Sequence, residues 1–173
     1  MLYNKVLEKI IIPIGDFINN SRFSKDLRYW RKVDKLGEEE LYLLQKKNLK
    51  ALLLHAVKNT KRYSKLELIG DDPYKWLVQF PVLTKEYLRN NKHELLTEEK
   101  SKLTKISSSG SSGISSSVYM NSNDLSSLRA GLIHWWEWSG YKLGAPLMQT
   151  GISPQRGLFK STKDLLFNTV YIN

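Results

Sequence analysis

The chain has 173 residues, of which 41% are apolar and 25% charged, close to the average for globular proteins. This composition argues against wholesale disorder, and the length suffices for one domain and barely for two small ones. The absence of cysteine excludes disulfides and thiolate metal sites. It also fits a reducing cytoplasm, where we expect the protein to reside.

The net charge of +10 is spread along the chain. Residues 1–100 hold 20 Lys and Arg against 14 Asp and Glu, and residues 101–173 hold 7 against 3. A nucleic-acid binder usually concentrates its basic residues on one helix or stripe. The dispersed charge therefore favours a solvated lysine-rich surface, and we expect no nucleic-acid partner. No stretch approaches the roughly 20 apolar residues of a transmembrane helix, so none is expected.

The first hundred residues are predicted to be mostly helical. Residues 6–14 are interpreted as a short amphipathic helix, with docking on a membrane surface as the alternative. Glu38, Glu39 and Glu40 place acid in the first turn of a second helix. This helix should run to about Asn59, because apolar residues recur at spacings of three and four. Those residues are Leu41, Leu44, Leu49, Leu52, Leu53, Ala56 and Val57.

Two shorter elements follow before residue 100. Asp71-Asp72-Pro73 is a turn signal that can start a short segment over residues 74–78. Thr84 can cap a helix from Lys85 to about Asn91.

Residues 101–173 are predicted to alternate strand and helix. A half-buried strand is expected over 103–106 and a second at 118–120, followed by a helix that Gly140 ends. A short buried strand over 146–150, a helix near 160–166 and a strand near 167–172 complete the chain. The predicted fold class is α/β with α+β character. A helical part (1–100) leads into the start of a layered domain (101–173) whose sheet is incomplete.

The segment from Ser107 to Ser117 contains eight serines, two glycines and one isoleucine. Its composition fits either a flexible linker or a loop whose backbone N–H groups and hydroxyls bind phosphate. Linkers join domains, whereas this segment lies between two predicted strands of one fold, which favours the phosphate loop. It is neither a Walker loop nor a dinucleotide-binding fingerprint, because both spacings are missing.

Residues 108–113 resemble the phosphate loop of adenylate-forming ligases, Thr/Ser-Ser-Gly-Ser/Thr-Thr-Gly-x-Pro. The match, with Ser-for-Thr exchanges only, comprises Ser108, Ser109, Gly110, Ser111, Ser112 and Gly113. The next two family positions, often lysine and then proline, are Ile114 and Ser115 here. The loop itself therefore carries no cation, and its backbone is less restricted.

The flanking segments resemble the phenylacetate–CoA ligase and CapK-like branch of these enzymes. Upstream, His55-Ala56 ends a helix that is followed by Tyr63. Pro81-Val82-Leu83-Thr84-Lys85 then precedes a short helix ending in Arg89-Asn90-Asn91. Downstream, an aromatic helix with Trp135, Trp136 and Trp138 runs into glycine. We interpret these tryptophans as packing residues rather than a platform for ligand stacking. The resemblance covers about residues 40–173, in the family's order.

The resemblance implies an ATP-dependent ligase that uses Mg²⁺ and coenzyme A. In that reaction a carboxylate attacks the α-phosphorus of ATP, pyrophosphate leaves, and a thiol then takes the acyl group. Surface or capsular polysaccharide biosynthesis is the pathway that the CapK-like relatives suggest. The family's adenine, ribose and catalytic-lysine motifs are missing, so no catalytic residue or metal ligand is assigned.

The chain is therefore interpreted as an N-terminal fragment that is not a competent ligase alone. One alternative is a non-catalytic remnant or subunit, with a second polypeptide completing the domain. The other is a basic module that binds nucleic acid or a membrane surface.

Overall fold

A computed structural model describes residues 2–107, 117–150 and 158–172. Its α-helices and strands, in chain order, are α1 (Leu2–Val6), α2 (Ile12–Ile18), α3 (Phe23–Val33), α4 (Glu38–Asn59), α5 (Pro73–Leu77), α6 (Lys85–Asn90), β1 (Thr104–Ser107), β2 (Ser117–Met120), α7 (Ser122–Trp138), β3 (Leu147–Thr150), α8 (Leu158–Leu166) and β4 (Thr169–Ile172). A π-helical segment, Leu7–Ile11, connects α1 to α2. Two 3₁₀ turns, Lys92–Glu94 and Lys100–Lys102, lie between α6 and β1. The described residues thus combine many helices with two small sheets, an α/β fold of α+β character with an incomplete sheet.

Local signals in the sequence account for most of these elements. Helix α5 begins at Pro73, with the Asp72 side chain accepting a hydrogen bond from the backbone N–H of Tyr74. Helix α6 begins after Thr84, whose hydroxyl accepts from the N–H of Tyr87 at 3.1 Å. Helix α7 ends just before Gly140, which adopts the left-handed conformation that glycine accommodates without strain (φ +86°). The predicted caps and helix ends are confirmed at these sites.

The chain forms two compact units, and the first is discontinuous in sequence. Unit 1 comprises residues 1–34 and 123–173, and unit 2 comprises residues 35–122. The sequence predicts one domain that divides at about residue 100 into a mostly helical part and a part that alternates strand and helix. That division stays a prediction.

Unit 1 contains a core built from both of its sequence segments. Leu7, Ile12 and Leu27 come from the N-terminal segment, and Ala130 and Leu143 from the later one; all five are buried together. Strands β3 and β4 pair in parallel, with Leu147 opposite Thr169 and Thr150 opposite Ile172. Parallel neighbours need a crossover, and α8 lies between them in sequence. The described residues of unit 1 therefore include one β–α–β connection.

Unit 2 combines α4, α5 and α6 with the antiparallel pair β1–β2. The buried apolar side chains among its described residues are few: Leu53 from α4, Tyr63, Pro73 and Trp76. The Trp76 indole N–H donates to the carbonyls of Ile69 and Gly70 at 3.1 and 2.9 Å. The ring of Tyr63 packs against Phe80, with centroids 4.9 Å apart.

Burial differs from expectation in three elements. All four residues of β1 are exposed, although one half-buried face was predicted, and β1 pairs only with β2 among the described strands. Strand β3 alternates half-buried with exposed residues rather than being buried, because its sheet contains only two described strands. In α4 only Leu53 of the apolar face is buried, while Leu52 is 62% exposed. Helical periodicity shows which residues share a face and does not show whether another element covers that face.

No helix among the described residues has both the length and the apolar character needed to cross a membrane.

Candidate phosphate-binding site

The hairpin β1–β2 holds both ends of the serine–glycine segment. The two strands are antiparallel, with Thr104 opposite Met120 and Ser107 opposite Ser117. Ser107 and Ser117 thus form the last described pair of the ladder on the side of residues 108–116. This arrangement agrees with the sequence-based view of a segment anchored between two strands of one unit.

The side chain of Ser117 is tied to a lysine from an earlier turn. Ser117 is only 6% exposed. Its hydroxyl accepts a hydrogen bond from the Lys92 ammonium at 2.7 Å. Lys92 is the first residue of the 3₁₀ turn Lys92–Glu94, and it is half-buried. A positive charge therefore lies at the base of the hairpin connection.

A second cation, Arg62, belongs to the same part of unit 2. Its backbone N–H donates to the carbonyl of Glu94 at 3.0 Å, and its guanidinium lies 4.0 Å from the ring centroid of Tyr87. The Tyr87 hydroxyl donates to the carboxylate of Glu94, and this hydrogen bond raises the pKa of Tyr87 above its usual value. Arg62 Nε is buried and has no hydrogen-bond partner among the described residues. Arg62, Tyr87 and Glu94 thus form one contact group, and Glu94 closes the turn that Lys92 begins.

The predicted phosphate-binding residues lie outside the described residues: Ser108, Ser109, Gly110, Ser111, Ser112 and Gly113. The segments that resemble the family upstream of them belong to unit 2, the unit that contains the hairpin. His55 is exposed near the end of α4, and its Nδ1 accepts a hydrogen bond from the side-chain amide N–H of Asn59 at 3.0 Å. Lys85 begins α6. The upstream motifs therefore lie in the compact unit that contains the hairpin, whereas the downstream tryptophan helix belongs to unit 1.

Sequence reasoning missed Lys92 and Arg62. Neither belongs to a recognisable motif, and Lys92 precedes its partner Ser117 by 25 residues. The only available signal was that no residue between Ser107 and Ser117 carries a positive charge.

Unit 1 contains a network of charged groups of its own. Arg31 from α3 donates through Nε to Glu137 of α7 at 2.9 Å, and through its terminal nitrogens to Glu8. The His134 ring, 4% exposed, lies 3.0 Å from the carboxylate of Asp34 and 3.5 Å from that of Glu137. Helical spacing places His134 and Glu137 on one face of α7, and Arg31 close to Asp34 at the end of α3. The network thus joins the two sequence segments of unit 1.

Two carboxylates of this network, Asp34 and Glu137, are held in their charged form. The Trp138 indole N–H donates to Asp34 at 2.9 Å, and this hydrogen bond is the main reason that the pKa of Asp34 is lowered. Burial alone would raise the pKa of Glu137, but hydrogen bonding and attraction to Arg31, with a smaller effect of His134, lower it below 4.5. Glu137 and Glu8 raise the pKa of the Arg31 guanidinium, chiefly through the hydrogen bond to Glu137. The Arg31 guanidinium faces the carboxylates of Glu8 and Glu137, so we assign the network a structural role.

The three tryptophans of α7 have different environments. Trp135 and Trp138 are 60% and 67% exposed, and Trp138 contacts Asp34 as described. Trp136 is half-buried, with its ring edge-on to Tyr141 at a centroid distance of 5.7 Å. The buried aromatic group of this stretch is instead His134.

The described residues include no group of three or more His, Cys, Asp or Glu arranged to hold a metal ion. We therefore assign no magnesium ligand among residues 2–107, 117–150 and 158–172.

Comparison with curated proteins finds a similarity to Protein CapK of Staphylococcus aureus. The two are 26% identical over 153 residues, which cover 84% of this chain and 34% of CapK. The chain thus spans about a third of the length of that relative. No protein-family model matches the chain, and no solved structure matches it. The chain is similar to CapK over most of its length.

Proposed function

We propose that this chain supplies the ATP-phosphate site of an acyl-adenylate-forming ligase of the phenylacetate–CoA ligase and CapK-like type. The observation that carries the proposal is the hairpin β1–β2, which fixes both ends of the serine–glycine segment through the pair Ser107–Ser117. The ordered series of flanking motifs and the similarity to CapK support it.

The proposed chemistry assigns the loop one part of the reaction. A carboxylate oxygen of an acid substrate attacks the α-phosphorus of ATP, and the bond to the β-phosphate oxygen breaks. The loop residues 108–113 hold the departing pyrophosphate through backbone N–H groups and hydroxyls, which are donors suited to phosphate oxygens. Coenzyme A then accepts the acyl group and AMP leaves. In this proposal, magnesium is present only as the counter-ion bound to ATP.

The substrate is proposed as a carboxylic acid of surface or capsular polysaccharide biosynthesis, by analogy with the CapK-like relatives. Because the reaction consumes ATP, its proposed location is the cytoplasm.

The first test is a calorimetric titration of the purified chain with magnesium-ATP. A double variant, Gly110→Val with Gly113→Val, is titrated beside it, because added Cβ branches hinder the close approach of phosphate to the backbone. We expect saturable binding by the intact chain and its loss in the variant. An intact chain that binds no nucleotide would contradict the proposal.

A second candidate is a non-catalytic subunit that associates with another polypeptide. The observation that favours it is the small sheet of unit 1, in which Met148 and Val170 are 67% and 60% exposed. Exposed apolar side chains on a sheet are typical of a surface that a further protein segment covers. The magnesium-ATP titration distinguishes the two candidates, because only the first requires the chain to bind the phosphates of ATP.

A further inference from the structure

The N-terminal segment of unit 1 has apolar side chains on two opposite sides. On one side, Leu7 and Ile12 are buried in the core. On the other side, a row of apolar residues is exposed at the spacing of successive helical turns. This row, the exposed stripe, comprises Ile10, Ile14, Phe17 and Ile18. One apolar face is enough to join a helix to a core, so the second face is available for a different contact.

The exposed stripe is open to solvent along its whole length. Phe17 is 89% exposed and Ile18 is 73% exposed, and the other two members are each more than half exposed. Gly15 belongs to the same helix, α2, and a Cβ at that position would meet nothing within 4 Å. Contiguous exposed apolar residues of this kind mark a surface that contacts a partner.

The charges of residues 1–34 that are available to a partner are positive. This segment contains seven Lys and Arg against four Asp and Glu. The four carboxylates are engaged within unit 1: Glu8 with Arg31, Asp16 with the N–H of Ser24, Asp26 with Arg22, and Asp34 with Trp138. Five basic side chains have no acidic partner in the part of the chain that the structure describes, namely Lys5, Lys9, Lys25, Arg28 and Lys32. The free charge of the segment therefore suits an anionic partner.

Three of these cations belong to the immediate surroundings of the exposed stripe. Lys9 directly precedes Ile10 in the π-helical segment, and Lys5 lies about one turn earlier, in α1. Arg28 of α3 lines the same groove as Lys9. Basic residues beside an exposed apolar helix face are typical of helices that lie in the interface of a membrane. Their long side chains can place the charge at the lipid headgroups while the apolar face enters the acyl region.

We propose that the exposed stripe, with Lys5, Lys9 and Arg28 beside it, docks unit 1 on an anionic membrane surface, with α2 parallel to the bilayer plane. A bilayer of anionic lipid presents negative phosphates above an apolar interior and is thus complementary to both features. A second copy of this chain would bring the same excess of positive charge to the contact. The inference depends on described residues of unit 1 alone and is independent of the proposed phosphate loop.

The test is flotation of the full chain with two kinds of vesicle. One kind contains phosphatidylcholine alone, and in the other about a third of the lipid is phosphatidylglycerol, which supplies the negative surface potential. The double variant Phe17→Ser with Ile18→Ser removes apolar area from the stripe. The double variant Lys5→Gln with Lys9→Gln removes two charges. Thermal unfolding of each variant monitors folding.

Unit 2 offers matched control variants. Val78 and Val82 are each 86% exposed, so Val78→Ser with Val82→Ser removes exposed apolar area away from the stripe. Lys47 and Lys58 are exposed on α4, so Lys47→Gln with Lys58→Gln makes the same change of net charge as the variant of unit 1.

We expect the intact chain to float with the anionic vesicles and to bind phosphatidylcholine at least about 10-fold more weakly, since each basic residue near the surface contributes to the affinity. The Phe17/Ile18 variant should bind anionic vesicles at least about 10-fold more weakly, because two apolar side chains no longer enter the bilayer. The Lys5/Lys9 variant should lose about 10- to 30-fold. Each unit 2 control should change binding by less than about 3-fold. High salt should weaken binding, because it screens the lipid charge.

Three outcomes would overturn the proposal. The first is an intact chain that does not float with anionic vesicles. The second is equal binding to both kinds of vesicle, which would remove the role of the charges. The third is a dimer in sedimentation analysis that the Phe17/Ile18 variant dissociates while vesicle binding is unchanged, which would make the stripe an interface between copies.

A measurement on the intact chain covers the case in which the Phe17/Ile18 variant does not fold. Hydrogen exchange of the backbone amides is followed with and without anionic vesicles. We expect the vesicles to slow exchange in residues 10–18 several-fold and to leave α4 unchanged. Equal exchange of residues 10–18 in both samples would contradict docking through this segment.

Discussion

Gly144 lies directly against Leu7, although the two residues are 137 positions apart. A Cβ on Gly144 would be 2.7 Å from Leu7 Cδ2, and Gly144 has a φ of +85°. Leu7 is fully buried in the core of unit 1. The glycine therefore serves two purposes, a left-handed backbone conformation and a close approach to the core.

Gly144→Ala is expected to destabilise unit 1 by about 1–3 kcal/mol, the usual cost of a non-glycine residue in the left-handed region. The displaced Leu7 side chain would add to this cost. Urea unfolding followed by fluorescence measures the change. Gly15→Ala is the control, because Gly15 lies within α2 and a Cβ there meets nothing within 4 Å. We expect that control to be neutral or stabilising by up to about 1 kcal/mol; equal losses in both variants would contradict the explanation.

The charge network of unit 1 predicts a loss of stability in acid. The pKa of Asp34 and that of Glu137 lie below their ordinary values of 3.8 and 4.5, and the groups that face them are His134, Arg31 and the Trp138 N–H. A carboxylate with a lowered pKa contributes stability above its ordinary pKa and loses it as pH falls through the folded value. We expect the melting temperature to decline from near pH 5 downward.

The variants Glu137→Gln and Asp34→Asn test this explanation of the acid sensitivity. Each should melt lower than the intact chain at pH 7 and should show a shallower decline between about pH 5 and pH 3. An unchanged slope in both variants would place the acid sensitivity elsewhere in the chain.

The buried, hydrogen-bonded indole of Trp76 is expected to stabilise unit 2. Its indole N–H donates to the carbonyls of Ile69 and Gly70, and the side chain is 4% exposed. Trp76→Phe keeps an aromatic ring and removes both hydrogen bonds, so we expect a loss of about 1–3 kcal/mol in unfolding free energy. The same substitution at Trp135, which is 60% exposed, should change stability by no more than about 0.5 kcal/mol. Similar effects at the two positions would contradict the role of these hydrogen bonds.

The hydrogen bond that caps α6 can be tested through its effect on the stability of that helix. The Thr84 hydroxyl accepts a hydrogen bond from the N–H of Tyr87 at 3.1 Å. Thr84→Ala should cost about 0.5–2 kcal/mol, the range for removing such a cap. Because α6 has only six residues, the loss should appear as faster hydrogen exchange of its own amides. Thr97→Ala, at an exposed position, is the control and should leave that exchange unchanged.

Several features of the fold could be predicted because they depend on neighbouring residues. Thr84 and Asp72 start helices through hydrogen bonds that reach only two or three positions along the chain. Gly140 ends α7 through its own backbone conformation. The hairpin around the serine–glycine segment follows from two short apolar runs with a polar connection between them. The sequence alone thus determined where most elements begin and end, and which segment is the candidate phosphate loop.

Contacts between distant residues were decided only by the tertiary structure. Burial of His134 beside Asp34 depends on the packing of α7 against α3, and no local pattern distinguishes His134 from the exposed Trp135 next to it. The exposure of β1 depends on which elements lie beside it, so the predicted half-buried face was wrong. Lys92 reaches Ser117 across 25 residues. Periodicity and capping report local backbone preferences, whereas burial and charge pairing depend on which chain segments meet, and that information resides in the packed fold.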